Sequence, residues 1–76
     1  MRLQDVFARV FEEPAERFGD DSSQENVLNW TSLRHVTLLV EVENAYQILF
    51  TNAEMTTMRS FGDVRAVLAR KGIDVA

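Results

Sequence analysis

Apolar residues recur at helical intervals in three parts of the chain, separated by stretches where the periodicity stops. Leu3, Val6, Phe7, Val10 and Phe11 fall at i, i+3, i+4, i+7 and i+8. They predict an amphipathic first helix with one apolar stripe. Pro14 limits its continuation, because proline disfavours the α conformation at Glu13 and brings no N–H to a helical ladder. A short second piece around Ala15 to Phe18 follows. Gly19 to Asn29 is rich in Asp, Ser, Gln and Asn and reads as a long surface loop. Val27 and Leu28 are its only apolar residues, and both are expected to pin it to the core, since so long a loop without an anchor is unusual in a compact domain.

The second periodic segment predicts a helix from about Ser32 to Tyr46. At 100° per residue Leu38, Leu39, Val42, Ala45 and Tyr46 share one face, with His35 beside them. Leu33, Val36 and Val40 project to another side with Thr37 and Asn44. A two-layer packing cannot bury both sets equally, so this helix keeps apolar surface for a covering loop, another helix or a partner protein. Ile48, Leu49 and Phe50 form an apolar connector, and Thr51 or Asn52 can cap a brief helix through about Thr57. Met55 and Met58 are expected to fill core gaps. The third periodic segment begins at Ser60, with Asp63 as an approximate capping box and Phe61, Val64, Val67 and Leu68 on one face. Arg70 and Lys71 complement its C-terminal dipole and Gly72 stops it, leaving Ile73 to Ala76 as a loose tail. The pattern as a whole predicts an all-α bundle of three main helices plus one short helix, with a long first loop.

Length and charge narrow the functions open to such a bundle. Residues 1–76 read as one small free-standing domain, expected to be monomeric and close to the size at which a single core is just sufficient. A hydrophobic fraction of 46% with a net charge of −4 fits a folded chain. The eight basic residues are scattered, which argues against nucleic acid and favours partners with basic surfaces. The absence of Cys excludes disulfides, thiolate metal sites and a cysteine nucleophile. No basic segment precedes an apolar run at the N-terminus and no run of eighteen apolar residues occurs, so no membrane association is indicated and a cytoplasmic location is expected.

Candidate chemistry centres on Ser32, placed where the polar loop meets the second helix. A helix N-terminus offers unpaired N–H groups and the positive end of the macrodipole, which favour an attached anionic group such as a phosphate. Serine is also a common cap for purely structural reasons. Ser32 and His35, three residues apart, permit a small serine hydrolase in principle. Against it stand the lack of a G-x-S-x-G elbow, of an evident oxyanion hole and of room for a pocket. Metal binding is not expected: there is one His and no Cys, and Asp20-Asp21 lacks calcium-loop spacing.

The run Trp30-Thr31-Ser32-Leu33, followed by Val36, Leu38-Leu39, Val42-Glu43 and Tyr46, is similar to the attachment motif of the acyl carrier proteins, or phosphopantetheine-binding carrier domains. The similarity extends to the helix order, the long polar loop and the last helix beginning Ser60-Phe61-Gly62-Asp63-Val64. It implies a non-enzymatic phosphoprotein whose Ser32 receives 4′-phosphopantetheine from coenzyme A and tethers acyl or aminoacyl intermediates as thioesters. It also implies that Leu33, Arg34, Val36, Thr37, Val40 and Glu41 meet partners: a phosphopantetheinyl transferase, an acyl-loading ligase or acyltransferase, and synthase enzymes. Thr31 stands where the family usually has Asp, so a capping oxygen remains but the charge is lost. Arg34, Thr37 and Asn44 replace residues often acidic in fatty acid biosynthesis carriers. Both departures, and the Trp before the motif, imply a specialised carrier, as in polyketide biosynthesis or another secondary-metabolite pathway. Thr31 also leaves open a rival: an unmodified helical adaptor descended from a carrier.

Overall fold

The computed structural model describes residues 2–75 and is all-helical, in the order α1 (Leu3–Phe11), α2 (Ser32–Tyr46), α3 (Asn52–Thr57) and α4 (Phe61–Arg70), with a 3-10 turn at Ala15–Arg17. Three longer helices, a short one and a long first loop are the expected elements. Pro14 sits at the start of the 3-10 turn, where its fixed φ fits and its missing N–H is not needed.

One core joins the elements. α1 contributes Leu3, Val6, Phe7, Val10 and Phe11; α2 contributes Leu38, Leu39 and Val42; α4 contributes Phe61, Val64, Val67 and Leu68. Phe7 is at its centre, with ring centroids of Phe11, Phe18, Trp30 and Phe61 between 4.8 and 5.8 Å away. The tilted and edge-on arrangements suit aromatic quadrupoles, each such pair adding about 0.5–1.5 kcal/mol to its area burial.

The long loop is anchored differently from the sequence expectation. Leu28 is 91% exposed and anchors nothing, while Val27 packs only partly against the core. The anchors are Phe18 and Trp30 at the two ends, both buried, and a seam to α4 in the middle. In that seam Ser23 and Ser60 form an isolated antiparallel bridge, Phe61 N–H donates to Ser22 O (2.9 Å), and Gly62 N–H donates to Asp20 O (3.1 Å). The loop thus satisfies N–H groups that the first turn of α4 cannot satisfy itself. Ser60 Oγ accepts from Asp63 N–H (3.1 Å), and the Asp63 carboxylate reaches back to Arg59 N–H (3.1 Å), one residue beyond a standard capping box. Arg65 clamps Asp20 through two bonds of 3.0 and 2.9 Å.

Two more expectations are corrected. Met58 is buried in the core, but Met55 is partly exposed on α3 and is not a member of the buried core. α3 is capped by Thr51, whose capping box with Glu54 is complete (3.1 and 2.9 Å), and a helix this short buries little besides its end. The tail is docked, not loose, as far as Val75: Val75 is buried and Ile73 packs against the core, directed there by a Schellman turn. Gly72 takes φ +82°, Ile73 N–H donates to Leu68 O (2.9 Å) and Gly72 N–H to Ala69 O (3.0 Å). Ala76 lies outside the described residues.

Candidate functional site

The junction between the long loop and α2 holds three exposed residues between two pairs of fastened ones. Before them, Asn29 Nδ2 donates to Phe11 O (2.9 Å), and Trp30 is 3% exposed with its ring 5.0 Å from Phe11 and 5.5 Å from Phe7. After them, Arg34 Nη1 donates to Val10 O (2.7 Å) while Nη2 meets Glu12 Oε2 (3.2 Å). His35 closes the set, its Nδ1 accepting from Trp30 Nε1–H at 2.9 Å. Thr31, Ser32 and Leu33 between them are all exposed.

These anchors answer the needs of another element. The last carbonyls of α1 have no intrahelical partner. Asn29 and Arg34 supply donors to two of them, and the guanidinium lies where the α1 dipole is negative. Fixing α1 therefore also fixes the start of α2.

Thr31 is the N-cap of α2: extended backbone (φ −86°, ψ 170°) with Oγ1 accepting from Arg34 N–H at 3.2 Å. Its carbonyl accepts from His35 N–H (2.9 Å). Ser32 is the first helical residue. Among the described residues nothing bonds its hydroxyl, and the Ser32 and Leu33 N–H groups are likewise unpaired. A hydroxyl in solvent beside two unpaired donors and the positive end of a fifteen-residue helix suits an anionic substituent. Capping falls to Thr31, so Ser32 is not needed for it.

The other sequence-derived candidates lie on α2 in two groups. Leu33, Val36 and Val40 are 77%, 60% and 47% exposed and form an outward apolar strip with Thr37, whose Oγ1 bonds Leu33 O (3.3 Å). Arg34 is half-buried against α1, and Glu41 pairs with Arg9 at 3.5 Å, so both charges are engaged within the molecule. Glu43, the other acidic residue of α2, receives Phe50 N–H at 2.8 Å. The outward strip is consequently apolar and uncharged.

Ser32 and His35 do not form a catalytic pair in this geometry. The imidazole lies edge to edge with the indole and nearly coplanar with it (19° between planes), and its Nδ1 is occupied by Trp30. Burial pushes the imidazole below its ordinary value. The Trp30–His35 contact and the Asn29 and Arg34 anchors were not expected from the sequence. The available signal was that all four flank the Thr31-Ser32-Leu33 triplet at the start of α2. Among the described residues no cluster of His, Cys, Asp or Glu could hold a metal ion, and no helix is long and apolar enough to cross a membrane.

Neither a protein-family model nor a curated protein sequence matches the chain. Among solved structures it is similar to the solution NMR structure of a holo acyl carrier protein from Geobacter metallireducens, with a TM-score of 0.78 and 30% identity over 91% of this chain and 84% of that one. The chain belongs to the acyl carrier protein family. Its fold is that of a carrier, and in this chain an exposed serine, Ser32, opens α2.

Proposed function

We propose that residues 1–76 act as a single carrier domain in which Ser32 bears 4′-phosphopantetheine. The observation that carries this reading is the combination of an exposed, unbonded Ser32 hydroxyl with a cap supplied by its neighbour Thr31. Similarity to a holo carrier protein supports it. The Ser32 oxygen attacks the phosphorus that carries the pantetheine arm of coenzyme A, the pyrophosphate bond breaks to release adenosine 3′,5′-bisphosphate, and the hydroxyl proton passes to a base of the transferase, which also brings the metal. The unpaired N–H groups of Ser32 and Leu33 and the α2 dipole favour the resulting phosphodiester. The group supplies a flexible arm ending in a thiol, on which acyl or aminoacyl cargo is held as a thioester. Nothing in this chemistry asks the carrier for a base of its own.

Leu33, Val36, Thr37 and Val40 form the surface met by the transferase, by a loading ligase or acyltransferase and by synthase enzymes. Arg34 and Glu41 act mainly by holding α2 on α1. With no unpaired acidic side chain on the outward strip, partners are selected by apolar fit more than by charge. That is the basis for placing this carrier in a specialised pathway, of the polyketide or another secondary-metabolite type. A cytoplasmic, monomeric protein fits this role.

Incubation with coenzyme A, magnesium and a permissive phosphopantetheinyl transferase, followed by intact mass measurement, tests the assignment. The wild type is expected to gain one phosphopantetheine-sized increment and Ser32→Ala none. No gain with several transferases would overturn it in favour of an unmodified adaptor.

A further inference from the structure

The chain has one Trp and one His, and the structure joins them across the serine. We propose that Trp30 and His35 are positioning residues: their hydrogen bond is a latch that holds the 30–35 segment in the shape that presents Ser32, and it opens when His35 takes up a proton. The proposal rests on Ser32 as the attachment residue.

The geometry sets the protonation state. Trp30 Nε1–H can only donate, so His35 Nδ1 must be the unprotonated nitrogen and the imidazole neutral, with its hydrogen on Nε2. A proton on Nδ1 would face the indole N–H, donor against donor. The resulting cation would sit in the opening turns of α2, where the dipole is positive. The indole cannot turn to relieve the conflict, because it is packed edge-on against Phe7 and tilted against Phe11. Relief requires His35 to leave the indole, which unfastens the far end of the 30–35 segment, and Ser32 is inside it.

Neighbouring charges do not compensate. Arg34 is turned to α1, where Val10 O and Glu12 take its guanidinium. Arg9 of α1 pairs with Glu41 of α2, and Asp20 of the loop with Arg65 of α4. Burial holds His35 below the ordinary value of 6.5, no charge from the loop, α1, α3 or α4 offsets it, and the bond from Trp30 favours the same neutral form. The sign follows: the stabilisation due to a neutral His35 is complete above 6.5 and is lost as pH falls toward the folded-state value. The latch opens at that lower value.

The sole histidine can be titrated by NMR in the wild type and in Trp30→Phe, which keeps an aromatic ring and removes the N–H. The wild-type midpoint is expected below 6.5, and Trp30→Phe should raise it by roughly half to one pH unit, the equivalent of one neutral hydrogen bond. His35→Asn places a non-titrating acceptor near Nδ1. Its indole N–H signal should persist between about pH 5 and 8, while that of the wild type broadens through the His35 midpoint. The initial rate of Ser32 modification is then measured for wild type and His35→Asn with one transferase, coenzyme A and magnesium across that range. Their ratio cancels the transferase's own pH dependence. It should be flat above the midpoint and fall severalfold below it.

An unchanged midpoint in Trp30→Phe, or an indole signal that behaves alike in wild type and His35→Asn, would overturn the latch. A shifted midpoint with a pH-independent rate ratio would overturn its role in presenting Ser32. Absence of any mass gain at every pH would instead refute the attachment reading, and the positioning role with it, while the midpoints still decide whether the latch exists.

Discussion

Thr31 and Ser32 divide two tasks that a single serine could have combined. Thr31 supplies the capping oxygen, and Ser32, one residue further on, keeps its hydroxyl in solvent. Loss of the cap should therefore cost stability without removing the proposed attachment point. Thr31→Ala is expected to lower unfolding free energy by about 1 kcal/mol. Thr31→Asp should leave it equal or slightly raised, since a carboxylate caps as well and complements the dipole. Thermal melts of the two variants beside wild type check this, and both should retain the Ser32-dependent mass gain. An alanine variant as stable as wild type would mean that the 3.2 Å bond to Arg34 N–H contributes nothing. The place of Ser32 at the start of α2 was legible from its position before an apolar-periodic run, but position alone made Ser32 itself the natural cap, and the structure gives that role to Thr31. Leu28 was misread for a physical reason: a loop needs anchors, but hydrophobicity alone does not say which residue supplies them, and Phe18, Trp30 and backbone bonds to α4 already do so.

At the scale of elements the important contact is between a loop with no secondary structure and the first turn of α4. A Cβ on Gly62 would stand 3.0 Å from Asp20 O and 3.2 Å from Asp20 Cβ, and the first of these is backbone that cannot swing aside. Alanine has the higher helix propensity by about 1 kcal/mol and would stabilise an isolated α4. Here the clash should win. Gly62→Ala is expected to lower the melting temperature by several degrees and to speed amide exchange at Phe61 and Gly62, whose N–H groups the loop accepts. A higher melting temperature would show that the seam yields at little cost. The helices themselves were legible because 3.6-residue periodicity is a local property. The seam was not, because Ser22 O to Phe61 N–H joins backbone atoms remote in sequence and leaves no mark in side-chain pattern, except a glycine where a helix would rather have alanine. The docked tail escaped for a similar reason. Ile73 and Val75 alternate too briefly to announce a strand or helix, and their burial follows from the Gly72 turn that aims them.

For the molecule as a whole, the distribution of charge matters more than its total. The net charge is −4, yet the outward strip of α2 carries Leu33, Val36, Thr37 and Val40, while Glu41 and Glu43 are each engaged internally and Arg34 offsets Glu12. Acidic residues gather elsewhere, on Asp20 and Asp21 of the loop and around the 3-10 turn at Glu13 and Glu16. A partner steered by acidic side chains on its docking surface would associate much faster at low ionic strength, where the screening length is about 30 Å, than in 1 M salt, where it is about 3 Å. A partner that docks on an uncharged strip gains little from this. The rate of Ser32 modification is accordingly expected to change by no more than about twofold between low and moderate salt, once the salt response of the transferase is normalised with a carrier that has an acidic second helix. Val36→Ala should slow modification severalfold at every salt concentration by removing apolar contact from the centre of the strip, while leaving the melting temperature near wild type because the side chain is 60% exposed. A steep salt dependence shared by wild type and Val36→Ala, with no loss from the substitution, would move the proposed docking surface from α2 to the acidic loop. The same measurement with Asp21→Asn would then locate it.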